Sequence, residues 1–431
     1  MSWVVAGMDW QELYSFASRQ TILGLCFDGI ERLGKEYPEE LRLTPIGREL
    51  LMTWMGKAQQ IRRQNMKVNA VAGKLFSMLR EDGLRCCVLK GQGNALMYPN
   101  PYSRTPGDID VWIDASRERI MEYAQKKFEL GDDIRLQHLE TSLDGVPVEL
   151  HFFPCSMNNP IYHARLQKWF RRNADLQCSH IVGLPDGAGD IAIPTTAFNV
   201  IYQLTHLYHH FFDEGIGMRQ IIDYFLVVND FSKNVFLNND LSNPSVSLSK
   251  GSSIAFPKLL SPQGTGDVTA LRCSEPLRSK DDGASKPSPN CAGWDRLAIE
   301  GDNSAGSTTV VTSSASTALD VVQKELKHLG LWKFAGAVMY VLHETLGLSE
   351  EKMIAPMDEK RGKLLLAEIL EGGNFGRHFT KYGAFTHQSM AKKYFLKIWR
   401  NMHFVRFFPA EALSEPIFRT WHFFWRMKYK K

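Results

Sequence analysis

The chain has 431 residues, 44% of them apolar and 23% charged, with a net charge of +4; that is a mostly globular protein of two or three domains, and the charge alone argues for no particular partner. Seven cysteines (26, 86, 87, 155, 178, 273 and 291) show no C-x-x-C spacing and no disulfide-like framework, which suits a reducing cytosol. The opening residues carry no basic stretch ahead of an apolar run, so no signal peptide is expected, and no window approaches the roughly 18 apolar residues of a membrane span.

Residues 9–35 and 46–82 read as helices. In the second, Leu51, Trp54, Met55, Ala58, Ile61 and Met66 recur at helical spacing with basic residues between them. LRCCVLKG, residues 84–91, reads as a short buried strand ending at Gly91, with Cys86 and Cys87 on opposite faces of the core. GNALMY starts a helix, PNPYSRTPGD is a loop, and residues 108–113 form a second strand. Residues 115–131 read as a helix ending at Gly131, with Asp114 as its cap. A hairpin follows: 134–141, a turn at Leu143-Asp144-Gly145, then 146–153. The alternation strand, helix, strand, helix, strand, strand makes 83–190 a compact α/β module behind a helical region, 1–82. Helical patterns resume at 191–230 and again at 319–390.

Between them, residues 231–318 contain 17 Ser, 7 Gly and 6 Pro, 30 of 88 residues. That share reaches the range, roughly 25–30%, at which a low-complexity segment is expected. The stretch reads as a disordered insertion splitting one helical domain. At the other end, 391–431 holds ten Lys/Arg against two Glu, and twelve aromatics. Such a segment either packs its aromatics on the body with its cations outward, or serves a nucleic-acid or membrane surface.

The chemistry concentrates in GDIDVWID, residues 107–114. On a strand, Ile109, Val111 and Ile113 share one face; Asp108, Asp110 and Trp112 share the other. Two carboxylates aimed at one point repel each other and call for a compensating cation. In VPVELHF, Glu149 and His151 share a face opposite Val148 and Leu150. If this strand lies beside 108–113, Asp108, Asp110 and Glu149 converge. Three hard oxygen ligands suit Mg²⁺ or Mn²⁺ rather than zinc, and such a cluster can hold two ions roughly 3.5–4 Å apart for displacement at phosphorus. Upstream, Gly91 and Gly93 allow the backbone close to a phosphate at a helix start, and Lys90 and Arg104 add positive charge on either side of the acids.

LKGQGNALMYPNPYSRTPGDIDVWID followed by VPVELHF resembles the nucleotidyltransferase superfamily that includes DNA polymerase β, and more narrowly a largely uncharacterised bacterial nucleotidyltransferase family. That family's pattern runs leucine-lysine-glycine, a helix, tyrosine-proline, an arginine, D-I-D and V-E-L-H. Spaced histidines (here His206 and His210) and an Arg and Asp (here Arg219 and Asp223) follow. The likeness spans roughly 10–230 and, more weakly, 319–415; the 231–318 insertion has no counterpart. It implies an α+β fold, a small mixed-sheet nucleotidyltransferase module embedded in a mainly α-helical chain. It implies transfer of a nucleoside monophosphate from an NTP to a hydroxyl or amine acceptor, with release of pyrophosphate and with two Mg²⁺ ions. Asp108 and Asp110 would bind both metals; Glu149 would bind the catalytic one and help deprotonate the acceptor. Lys90, Gly91, Gln92, Gly93, Arg104 and His151 make up the expected nucleotide-binding set. The superfamily's Ser or Gly directly after the first glycine is replaced by Gln92, so a serine hydroxyl to the triphosphate is missing and Lys90 is the candidate substitute.

His206 and His210 stand i,i+4, but no Glu lies between them as in H-E-x-x-H; lining an acceptor pocket suits them better than holding metal. His138 is expected near His151 on the partner strand, and Arg219 and Asp223 to pair with each other. The resulting expectation is a cytoplasmic nucleotidyltransferase with an NTP donor. A non-catalytic nucleotide-binding protein of the same fold, or a nucleic-acid binder working through 391–431, are the alternatives. The acceptor (small molecule, protein or RNA), the donor base and the oligomeric state stay open.

Overall fold

The computed structural model describes residues 7–130, 135–241, 318–376 and 390–429. Helices α1 (Trp10–Arg19), α2 (Leu23–Glu36) and α3 (Pro38–Leu43) precede the long α4 (Arg48–Glu81). The single helix read over 9–35 is broken at Thr21, whose φ is 56°. Asp9 caps α1, its carboxylate accepting from the Gln11 and Glu12 amides at 2.9 Å. The apolar stripe expected on α4 is only partly the buried one. Trp54 and Ile61 are buried, but Leu51, Met55 and Met66 are exposed, and the helix packs instead through Val68, Ala72, Leu75, Phe76 and Leu79. Two polar residues sit on that inner face, Asn65 and Asn69. Asn65 Nδ2 donates to the Tyr102 and Arg104 carbonyls at 3.0 and 2.8 Å, which satisfies the donor side of its buried amide.

Then come β1 (Cys86–Leu89), the one-turn α5 (Gly91–Ala95), β2 (Ile109–Ile113), α6 (Arg117–Lys127), β3 (His138–Leu143) and β4 (Val146–His151). The strands form one mixed sheet in the order β1-β2-β4-β3, with β2 parallel to β4 and the other pairs antiparallel. The β3–β4 turn is Asp144-Gly145, at φ 51° and 71°, the two positive values of a tight I′-type hairpin. Ser116, not Asp114, caps α6, and that helix ends at Lys127; Asp114 is bonded to Arg85. Gly131, the expected helix end, lies outside the described residues.

Each face of the sheet has its own partner. Cys86, Val88, Ile109, Val111, Ile113, Val148 and Leu150 pack under α4 and α6. Cys87, Leu89 and Trp112 face the helical part of the chain. There Trp112 stacks on Phe198 at 6.2 Å between centroids, and Phe198 on Trp169 at 4.5 Å.

That helical layer comprises α7 (Pro160–Ser179), α8 (Thr196–Asp213), α9 (Met218–Leu241), α10 (Ala318–His328), α11 (Trp332–Leu346) and α12 (Glu359–Gly372); the small hairpin β5 (Ile181–Gly183) and β6 (Asp190–Ala192) follows α7. Residues 231–241, expected as the beginning of the insertion, are helical in the structure. Helix α9 runs to Leu241, with Phe231 and Ser232 buried, because the spacing of Ile221, Tyr224, Val227, Val228 and Phe231 carries the helix on into the serine-rich stretch. Residues 242–317 lie outside the described residues. Helices α13 (Met390–Met402) and α14 (Pro409–Tyr429) and the link between them bury Arg400, Phe404, Phe408 and Ala412 against the body, while Phe395, Ile417, Trp421 and Phe424 stay exposed. No helix among the described residues is long and apolar enough to cross a membrane.

Candidate active site

Strand pairing brings the acids together. Asp110 on β2 lies opposite Glu149 on the adjacent parallel strand, and opposite Leu89 on the other side. Asp108 ends the loop just before β2. The three carboxylates share the wall of one chamber of about 680 Å³, a volume that suits a nucleotide-sized ligand. Lys90, Gly91, Arg104 and His151 line it too.

The charges are arranged unevenly. Asp110 is buried, and its Oδ1 faces both Lys90 Nζ and His151 Nε2 at 3.0 Å. Burial pushes its pKa upward, but Lys90 and His151 outweigh burial and hold the carboxyl well below the usual range. His151 Nε2 also lies 3.1 Å from Glu149 Oε2. Burial disfavours the His151 imidazolium, yet its bonds to Asp110 and Glu149 lift its pKa to about 9. Asp108 has no such partner among the described residues. The Asp110 charge, then burial, then Glu149 push it up to about 6.

Two residues of the expected nucleotide-binding set do not reach the chamber. Gln92 is buried against Asn69 of α4, to which its amide donates, and Gly93 packs on Ile193, whose Cγ2 would stand 3.0 Å from an added Cβ. Arg104 reaches the chamber wall but is spoken for. Its Nε and Nη2 donate to the two Asp223 oxygens at 2.8 Å each, and the Tyr98 hydroxyl donates to the same carboxylate at 2.7 Å. Arg104 Nη1 has no partner among the described residues. The Arg219–Asp223 pair expected from their i,i+4 spacing is therefore not made. Arg219 Nη1 donates to the Thr105 carbonyl at 3.0 Å instead, beside the loop that leads to Asp108.

The wall opposite the sheet is helical. His206 and His210 from α8 line it, with His206 Nε2 2.8 Å from Lys90 Nζ and 3.0 Å from His210 Nε2. Burial, reinforced by Lys90, keeps His206 neutral; burial and His209 bring His210 down to about 3. Asp213, Glu214, Phe375 and Lys397 complete this side, with Lys397 Nζ 2.8 Å from Asp213 Oδ1. Sequence reasoning singled out none of these four. Lys397 falls in a segment conspicuous for its basic charge, but nothing in the pattern ties it to the acids.

A model of the uncharacterised nucleotidyltransferase family matches residues 6–242, more than half of the chain. The chain belongs to that family. It is an enzyme of the nucleotidyltransferase class. No curated protein matches it. Among solved structures it is similar to an antigenic nucleotidyltransferase-like protein from Paracoccidioides brasiliensis, at 15% identity and a TM-score of 0.27, over 41% of this chain and 90% of that one.

The donor set in this nucleotidyltransferase fits a divalent cation. Asp108 is a carboxylate crowded by like charge that Lys90 offsets only in part, with no salt bridge to it among the described residues, and Asp110 and Glu149 share its wall. His138, Glu149 and His151 form a second, mixed group, with ligand atoms all within 4.8 Å of one another. Within that group, both ring nitrogens of the buried His138 lack a hydrogen-bond partner among the described residues, although Nδ1 lies 3.3 Å from Glu149 Oε2.

Proposed function

We propose that this nucleotidyltransferase moves a nucleoside monophosphate from an NTP to a hydroxyl or amine acceptor, with pyrophosphate as the second product and with Mg²⁺ or Mn²⁺ as cofactor. The observation that carries this reading is the placement of Asp110 opposite Glu149 on adjacent parallel strands, with Asp108 at the mouth of the same chamber. Asp108, Asp110 and Glu149 are the residues that would hold the metal. When bound, a divalent ion neutralises phosphate charge and lowers the pKa of an attacking hydroxyl.

The chain's own groups supply the rest. Glu149, half-buried and with its carboxyl held below the usual range against burial by His151, is ionised and would take a proton from the acceptor. His151 holds Asp110 and Glu149 in fixed relation through one ring nitrogen. Lys90, Arg104 and Arg219 put positive charge on the side of the chamber that includes Gly91 and Gly107, where an anionic phosphate tail is best accommodated. The histidine-lined wall of α8, with Phe375 and Lys397, is left for the acceptor. The cytoplasm, where NTPs are abundant, is the compartment that suits the reaction.

Isothermal titration of each of the four NTPs, with Mg²⁺ and then with EDTA, tests the reading on the wild type and on Asp108→Ala/Asp110→Ala. Metal-dependent binding of at least one NTP, abolished in the double variant, is expected. A well-folded wild type that binds none of the four would overturn it.

A further inference from the structure

Phe375 is held in the chamber wall by a costly backbone. It has φ 55° and ψ 31°, the left-handed region that a bulky side chain rarely enters. Gly373 and Gly376, both at φ 61°, flank it; of the three left-handed positions only the one at the chamber carries a ring. The surroundings fix this turn. The Gln20 side chain accepts from the Met218 amide at 2.9 Å and donates to the Ile369 carbonyl at 3.1 Å, tying the start of α9 to the end of α12. Asn374 packs on the same start so closely that a Cβ at Gly217 would lie 2.8 Å from Asn374 Cα. Strain persists where neighbours over-determine it, and it gathers at sites that clamp a ligand.

What the turn achieves is the position of the ring. Phe375 is half-buried and lines the chamber, and among the described residues no other Phe, Tyr or Trp lines it. The ring lies 5.2 Å from that of His210, tilted by 59°, and the Arg219 guanidinium carbon lies 6.0 Å from its centroid, the outer limit of such a contact. Aromatic rings and guanidinium planes are the surfaces on which unpaired bases stack.

The residues beside the ring leave donors unused. Gln220 lines the chamber as well; its Oε1 accepts from the Gly217 amide at 2.6 Å, while its Nε2 has no partner among the described residues. Arg219 Nε is without one too. A flat apolar face with unsatisfied N–H groups next to it is what recognises a heteroaromatic ring, by its plane and by its edge.

We propose that Phe375 is the stacking platform of the acceptor subsite, so that the acceptor carries a nucleobase, as a free nucleoside or as the last nucleotide of a strand. A ribose hydroxyl of that nucleoside is then the nucleophile. Its oxygen bonds to the α-phosphorus of the NTP, the bond from that phosphorus to the α–β bridging oxygen breaks, pyrophosphate leaves with that oxygen, and the hydroxyl proton passes to Glu149. The inference rests on the nucleotidyl-transfer reading above and names the class of acceptor for that same site.

Isothermal titration of the full chain with adenosine, guanosine, cytidine and uridine, in EDTA and without NTP, tests it. Wild type is expected to bind at least one of the four. Phe375→Leu keeps the bulk and the backbone demand but not the flat face; it should lose about tenfold or more in that affinity, the range of one base–aromatic stack, at an unchanged melting temperature. Phe375→Tyr keeps the ring and should stay within about twofold of wild type. Should Phe375→Leu fail to fold, Phe375→Asn, which the left-handed backbone accommodates, takes its place. A trinucleotide ending in the preferred base separates the two sources: tighter binding than the nucleoside assigns the subsite to a strand end, equal or weaker binding to a free nucleoside. A folded wild type that binds neither nucleoside nor trinucleotide overturns the proposal, and so does a Phe375→Leu chain that binds as wild type does. Saturation with an α,β-methylene NTP and Mg²⁺ should leave nucleoside binding in place; displacement of the nucleoside would give the ring to the donor's own base and overturn the assignment to the acceptor. The nucleoside titrations need neither metal nor triphosphate, so their failure beside metal-dependent NTP binding would leave nucleotidyl transfer standing.

Discussion

Replacing Asp223 by Asn should be among the most destabilising single changes near the site. Asp223 and Arg104 have side chains only 6% and 5% exposed, joined by two hydrogen bonds of 2.8 Å. An asparagine keeps the shape and can still accept from Tyr98. However, its NH₂ then faces a guanidinium N–H, donor against donor, and Arg104 is left as a buried charge without its counter-ion. Removing one partner of a buried pair costs about 3–5 kcal/mol. Here the upper end is expected, because Arg219 already repels Arg104, an effect second only to burial in lowering the Arg219 pKa. Arg104→Met should cost less, about 3 kcal/mol, since Arg219 remains as a cation for the stranded Asp223. Arg104→Met/Asp223→Leu removes both charges and should recover most of the loss. Urea unfolding of the four proteins, at unchanged m-value, measures these differences. A loss below about 1 kcal/mol for Asp223→Asn, or a double variant as unstable as the sum of the singles, would refute the reasoning.

Two further outcomes are expected. Glu411 is buried, accepts from the Asn158 and Asn159 amides, and is pushed by burial from 4.5 up to about 7. Its proton is therefore held more tightly in the folded than in the unfolded chain, so stability should fall as pH rises from about 4.5 to about 7 and level off above, by about 3 kcal/mol in all. Glu411→Gln should flatten that slope in denaturant titrations run at several pH values; an unchanged slope would show that Glu411 is not its source. An alanine Cβ at Gly24 of α2 would lie 2.3 Å from the Ser103 carbonyl, in the loop that carries Arg104 and leads to Asp108. Gly24→Ala should cost about 1–3 kcal/mol in unfolding experiments and weaken NTP binding; unaltered stability and affinity would mean the loop gives way freely.

The parts of this fold legible in the sequence are those whose information is local. The alternation in 109–113 and 148–151 divided the side chains between the two faces of the sheet as the structure has them. CCVL likewise divided Cys86 and Cys87 between two cores. The α4 stripe was misplaced because Leu51, Met55 and Met66 are apolar but exposed, while Asn65 and Asn69 are polar but buried, and their hydrogen-bond partners lie far along the chain. The Arg219–Asp223 expectation failed for the same reason. Spacing along one helix exposes near neighbours and hides a better partner, Arg104, 119 residues away. The helix across 231–241 was not foreseen, since a serine count over a long window averages out the last turns of α9. Phe375 and Lys397 join the chamber only through the packing of distant helices.

The chamber is also assembled from two parts of the chain. Its carboxylate wall lies wholly within residues 6–242, the stretch that defines the family, whereas Phe375, Gly376 and Lys397 come from beyond it. If that side of the chamber receives the acceptor, as proposed above, a substitution at Phe375 or Lys397 reshapes the acceptor wall from outside the matched stretch, while the carboxylates stay fixed on the sheet.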